Sequence, residues 1–370
     1  MASSATPAPK VRSFPTVEFT DSEAGALEFP SSKSRTFTYF KPAKLRATVY
    51  EDVTVDVQPD PERHLAQGWI YGFGDGPGGY PPEWTRAKSS DWHAFLDPNE
   101  EWEQTIYRNN SAVVRQVSLG LENAKRANAY GDWNPAWQKF IARNLGAWMH
   151  AENGMALHVF TSIQRSGPTN MINTAVAVNA AHKMRFAQDL ALFNLDLSDS
   201  LDTFDGSVHK EVWQSAEEWQ PTRRVVEELT AVGDWAELLF GTNVVFEQLV
   251  GQLFRSELVM QISAKNGDYV TPTIVGTGEY DYSRDLAYTR SLFRLLTRDE
   301  RFSAGNKRLF GEWLATWVPR CLDAALALQP IWSQPSDKAR TFADSLSATK
   351  EKFAQVLEEI GLDVPKELDQ

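Results

Sequence analysis

The chain has 370 residues, 42% hydrophobic and 23% charged, enough for one large domain or two ordinary ones with a sizeable core. Its formal net charge of −12 argues against a nucleic-acid partner, because phosphate contacts call for clustered Lys and Arg. A single cysteine, Cys321, excludes an internal disulfide framework, and no run of about 18 apolar residues is present to span a bilayer. The opening MASSATPAPKVRSF lacks the apolar core of a secretory leader, so a cytoplasmic location is expected.

Residues 1–44 read as an arm. Pro7, Pro9, Pro15, Pro30 and Pro42 prevent a continuous helix, yet Phe14, Phe19, Phe29, Phe37, Tyr39 and Phe40 are spread through it. Disordered tails are poor in aromatics, so these six are candidates for laying the arm, taken as residues 1–60, on a partner chain. The 13 Trp and 20 Phe of the whole chain fit large buried surfaces of that kind. From Leu45 to Val57 the odd positions are mostly apolar, which predicts an extended or β segment. The loop from Trp69 to Trp84 contains a formal G-x-G-x-x-G match at Gly74, Gly76 and Gly79. It is rejected as a nucleotide site because Pro77 interrupts it and Pro81 and Pro82 stand where a phosphate-binding helix would start.

The remainder, residues 61–370, reads as one helical domain. Pro98 with Glu100 and Glu101 opens a predicted helix to about Asn128. Four longer helices follow at about 134–165, 168–197, 234–265 and 272–297, with shorter pieces between 198 and 233, and two more at about 303–328 and 337–360. Two antiparallel hairpins joined by one long crossover make the ferritin-like arrangement of a four-helix bundle. The helix after Pro168 carries an anomaly: Asn179 and Lys183 fall on the same stripe as Ile172, Ala175, Val176, Phe186, Leu190 and Phe193. A cation there must reach water along its own stem, meet an anion inside, or sit in an interior that once needed polar groups.

Bundle-core di-iron sites of this architecture use Glu-x-x-His on two helices. The six histidines, His64, His93, His150, His158, His182 and His209, are preceded three residues earlier by Pro61, Ser90, Ala147, Met155, Asn179 and Gly206, so the motif is absent. His150 and His158 share a helix face, but two ligands fall short of a zinc site. No G-x-S-x-G or Walker pattern occurs, and Cys321 reads as a small buried thiol.

The layout, and NGDYVTPT (Asn266 to Thr273) at the start of the fourth core helix, resembles the soluble bacterial multicomponent di-iron monooxygenases, which act on methane, toluene or phenol, alkenes, propane and tetrahydrofuran. In that family the hydroxylase α chain holds the iron and a β chain of the same ancestry does not. Over almost its whole length this chain is similar to the β (small) subunit, nearest the propane/phenol/tetrahydrofuran group. The resemblance implies a ferritin-like, ribonucleotide reductase-like all-α fold and an α2β2 hydroxylase. It also implies a coupling protein, a reductase bearing NADH, FAD and [2Fe-2S] chemistry, and iron only in the partner α subunit.

Aligned with the α chain's D-E-x-R-H motifs, His182-Lys183-Met184-Arg185-Phe186 puts Lys183 for Glu and Phe186 for His. Asp281-Tyr282-Ser283-Arg284-Asp285 puts Tyr282 for Glu and Asp285 for His. The third-helix Glu falls at Gln248, with Glu247 beside it, and the first-helix Glu survives as Glu152. Glu152, Lys183, Phe186, Gln248, Tyr282 and Asp285 are therefore expected to form a degenerate, metal-free remnant, with no catalytic, cofactor or metal residue in this chain. Lys183 is expected to pair with Glu152 or Asp285. The other readings open at this point are a free-standing helical scaffold or adaptor and an independent ferritin-like oxidase.

Overall fold

The computed structural model describes residues 17–18, 36–37, 42, 46–55, 85–337 and 340–369. Phe14, Phe19, Phe29, Tyr39, Phe40 and the glycine-rich loop lie outside them. Phe37 is described by its backbone alone, in a two-residue antiparallel pair of β1 (Val17–Glu18) with β2 (Thr36–Phe37).

The remaining described regular structure is helical: α1 (Glu103–Arg126), α2 (135–166), α3 (Asn170–Ser200), α4 (Val208–Ser215), α5 (Gln220–Thr230), α6 (235–262), α7 (Thr271–Thr297), α8 (Ser303–Ala327) and α9 (Phe342–Ile360). Side-chain caps start three of the core helices. Asn134 accepts from Ala136 N before Pro135 opens α2, Thr169 caps α3, and Asp234 receives both Ala236 N and Glu237 N at α6. The α2–α3 and α6–α7 hairpins form the bundle, with α8 and α9 packed on α6. α6 is its axis: every residue from Phe240 to Gly251 is buried, and its hydrogen bonding widens to π turns there and again over Leu253–Val259.

The NGDYVTPT turn has a physical account. Asn266 donates to Ile262 O at the end of α6, and Gly267 takes φ 81°. A Cβ at Gly267 would lie 2.9 Å from the Asp132 carbonyl oxygen, so glycine is required there. Asp268 then caps α7 through Val270 N and Thr271 N, while its other oxygen accepts from Trp137 Nε1 at 2.8 Å. The turn thus pins the start of α7 to the start of α2.

Two expectations change. The stretch expected to be extended from Leu45 is helical over 49–55, with Val49–Tyr50 leading into one wide turn at Glu51–Val55. Thr48 and Glu51 form a capping box there, 2.7 and 3.2 Å, and this local pairing outweighs the alternating valines. The helix expected from Pro98 starts at Glu103. The Asp97 carboxylate takes the N–H groups of Asn99 and Glu101 and Glu100 turns to φ 49°, holding Pro98 in a turn outside the helix.

Candidate functional site: a buried ion cluster in the bundle

α3 turns its polar residues inward. Asn179, His182, Lys183, Arg185 and Asp189 are all buried, and Lys183 is only 6% exposed. Its ammonium Nζ donates to Glu152 Oε2 of α2 at 2.9 Å and to Glu247 Oε1 of α6 at 2.6 Å. Arg255, two turns further along α6, closes the cluster from the other side. It donates Nη1 to Glu152 Oε1 at 3.1 Å, Nη2 to Glu247 Oε2 at 2.8 Å and Nε to Glu279 Oε1 of α7 at 2.6 Å. Each of the first two glutamates therefore bridges both cations. Trp148 Nε1 adds a bond to Glu152 Oε1 at 2.7 Å, and the guanidinium lies over the rings of Trp148 and Tyr282 at 5.3 and 5.5 Å.

Burial alone would push the Lys183 ammonium toward its neutral form, but Glu152 and Glu247 outweigh it and hold its pKa above the ordinary lysine value. Burial likewise works against the Glu247 carboxylate, and Arg255 with Lys183 reverses that, leaving its pKa below the usual range. Arg255 is held still higher, its burial outweighed by Glu247, Glu279 and Glu152. Lys183, Glu247 and Arg255 thus each meet groups of opposite sign at hydrogen-bond distance.

A second polar group adjoins the first. His182 Nδ1 meets Asp285 Oδ1 at 2.8 Å, and Asn179 donates to Asp285 Oδ2 at 2.8 Å. Asn179 Oδ1 in turn accepts from Asn243 and from the Tyr288 hydroxyl, both at 2.8 Å. Arg185 pairs with Asp189 and Asp281. Burial opposes a protonated His182, but Asp285 and Asp281 raise its pKa above the ordinary histidine value.

The structure brings the six positions singled out from the sequence to one place. Glu152, Lys183, Phe186, Tyr282 and Asp285 line a common cavity of about 10 Å³, the space of a single water. Gln248 stands behind it, bonded to the Tyr282 hydroxyl. The partner expected for Lys183 is half corrected: Glu152 is one, but the second is Glu247, because His182 and Asn179 already occupy Asp285. On α6 it is Glu247, the neighbour of Gln248, that faces Lys183. Sequence reasoning passed over Arg255, although a cation inside the apolar run LFRSELV is the same signal that marked Lys183. Phe186 packs on Gly278, where a Cβ would lie 2.8 Å from the ring, so the glycine serves close helix approach and α7 runs unbroken through it.

His150 and His158 do not form a pair. His150 Nε2 meets His209 Nδ1 of α4 at 2.8 Å, while His158 is exposed. Among the described residues no group of three or more His, Cys, Asp or Glu side chains is placed to hold a metal ion. Burial, with the neighbouring His209 and Lys210, pushes His150 down to about 4. A histidine with a depressed folded pKa binds fewer protons folded than unfolded between that value and about 6.5, so its contribution to stability is lost as pH falls through that window. Urea midpoints measured from pH 7 to 4 should fall, and the fall should be shallower in His150→Phe.

Among the described residues no helix is long and apolar enough to cross a membrane. A family profile described as Methane/Phenol/Alkene Hydroxylase matches residues 69–300. The chain is 78% identical, over 99% of its length and 100% of the relative's, to the propane 2-monooxygenase hydroxylase component small subunit of Rhodococcus jostii (strain RHA1). The protein of the same name from Gordonia sp. (strain TY-5) is 72% identical over 98% of each chain. Among solved structures, a chain of xenon-pressurized phenol hydroxylase from Pseudomonas sp. OX1 superposes with TM-score 0.73 at 19% identity, covering 86% of this chain and 92% of that one. That likeness shows the fold, a ferritin-like helical bundle.

Proposed function

The chain belongs to the Methane/Phenol/Alkene Hydroxylase family, and we propose on that footing that it is the small, non-catalytic β subunit of a di-iron monooxygenase hydroxylase. The observation that carries the reading is the ion cluster. The centre of the bundle, where a carboxylate-bridged iron pair would sit, holds Lys183 and Arg255 bonded to Glu152 and Glu247. Two divalent cations beside two fixed positive charges would be strongly repelled. These residues do not fit a di-iron centre, and no chemical step runs through them. The chain's own work is to keep a bundle of hydroxylase shape rigid, with organic cations supplying the charge that ties α2, α3, α6 and α7 together.

The large subunit holds the iron in this reading, within an α2β2 assembly served by a coupling protein and an NADH-dependent reductase with FAD and [2Fe-2S] centres. The setting is the cytoplasm. Substrates are small alkanes, cyclic ethers or phenols, with propane favoured by the names of the relatives that share over 70% identity. Metal analysis tests the proposal. The chain expressed alone should carry no stoichiometric iron, and the complex with its large subunit should carry two per αβ pair. Stoichiometric di-iron in the isolated chain would sink the reading. Failure to recover any large subunit would favour a free-standing scaffold.

A further inference from the structure

α3 is built inside out. Five of its six titratable residues, His182, Lys183, Arg185, Asp189 and Asp196, are buried, and only Asp199 in the last turn is exposed. Its outward stripe, read at three-and-four spacing, is Ala177, Ala181, Met184, Gln188, Leu192 and Leu195, half-buried or exposed and carrying no charge. A helix at a water-facing surface has the opposite pattern. α1 continues the same face. Tyr107, Val114 and Leu121 repeat every seven residues, and the stripe ends at Lys125, which pairs with Asp196 of α3 and so fixes that flank alongside α3. Leu192 and Leu195 are 56% and 60% exposed, Tyr107 and Val114 66% and 43%, and the described residues leave all four uncovered. α1 itself buries only Val113, Val117 and Ala124 along 24 residues, thin support for a helix of that length.

We infer that this α3–α1 face is where the large hydroxylase subunit seats; the inference rests on the reading of the chain as a small hydroxylase subunit. Its size suits a stable contact. At 1.5 Å per residue α3 runs about 46 Å, and with the α1 flank the strip is roughly 20 Å wide, a footprint on the order of 900 Å². Stable specific interfaces cover about 800 Å² per partner, with few charges at their centre. A second copy of this chain is a poorer match. A two-fold through the middle of the stripe would lay Leu192 and Leu195 on the amide-rich start of α3, Asn170, Asn173 and Thr174. A different chain can present apolar side chains to the leucines and polar ones to the amides.

The test is co-expression with the large subunit. Leu192→Glu and Val114→Glu should each leave the melting temperature of the isolated small subunit unchanged. Each should weaken its assembly with the large subunit about 100-fold by titration. Leu326→Glu, on an exposed leucine of α8, should assemble like the wild type. Wild-type assembly by both α3–α1 variants would overturn the inference. So would loss of a homodimer of the isolated small subunit, which would make the face a self-contact. A lowered melting temperature of the isolated subunit would overturn it too, by placing residues 1–45 of the same chain on the strip. If the wild type itself recovers no large subunit, the reading of the chain as a hydroxylase subunit fails, a result distinct from these.

Discussion

Replacing Lys183 by Met should destabilise the subunit by about 3–5 kcal/mol, the usual cost of removing one partner from a buried ion pair. The wild-type cluster holds three carboxylates, Glu152, Glu247 and Glu279, against two cations, Lys183 and Arg255, a sum of −1. Lys183→Met leaves −2 in a site where neither Glu152 nor Glu247 can reach water, since they are 1% and 0% exposed. The double variant Lys183→Met with Glu247→Gln restores −1. The new amide oxygen can still accept from Arg255, so the double should be more stable than the single. Urea unfolding of both variants measures the difference. Equal stability of the single variant and the wild type would mean that the ammonium contributes nothing.

Arg255→Met should cost at least as much. The guanidinium makes three ion pairs, to carboxylates on three helices, lies between two rings and is 1% exposed. Without it Glu247 keeps only Lys183, while Glu279, partly exposed, can turn outward to water. The penalty should depend on pH with a definite sign. In the wild type the depressed Glu247 pKa contributes stability above the unfolded carboxylate value, and that contribution is lost as pH falls through the folded value. In the variant Glu247, still buried but short of a cation, moves up, and protonation relieves it. The two stability curves should therefore converge as pH is lowered toward about 4.5. A gap that stays constant from pH 7 to 4.5 would show that lost packing, rather than stranded charge, sets the cost.

The helical layout was legible from the chain alone because its signals are local. Asn134-Pro135, Ser166-Gly167-Pro168, Asp234 and NGDYVTPT each satisfy or remove particular backbone N–H groups within a few residues, and the core helices begin and end close to them. Where two local signals competed, the less conspicuous one prevailed. The Thr48–Glu51 box outweighed the alternating valines, and the Asp97 turn outweighed Pro98 as a helix start. Both were present in the sequence as short side-chain-to-backbone patterns, but they are two- and three-residue features beside longer runs.

The site was half legible. A cation on an apolar helical stripe already required an anion inside the fold, and the histidine census already showed that no Glu-x-x-His pair exists. Which anion it met depended on the azimuth of α6 against α3. The π turns of α6 set that azimuth and bring Glu247 rather than Gln248 round to Lys183, a rotation that sequence spacing at 3.6 residues per turn does not contain. The sequence by itself determined an all-helical bundle of hydroxylase type with a misplaced charge in its second core helix. Only the tertiary structure decided how that charge is balanced, two cations shared between two glutamates from different helices, and that the same helix turns outward a face uncharged from Ala177 to Leu195. Pairing across a bundle depends on the relative rotation of helices far apart in sequence, and that rotation is set by how the whole core packs.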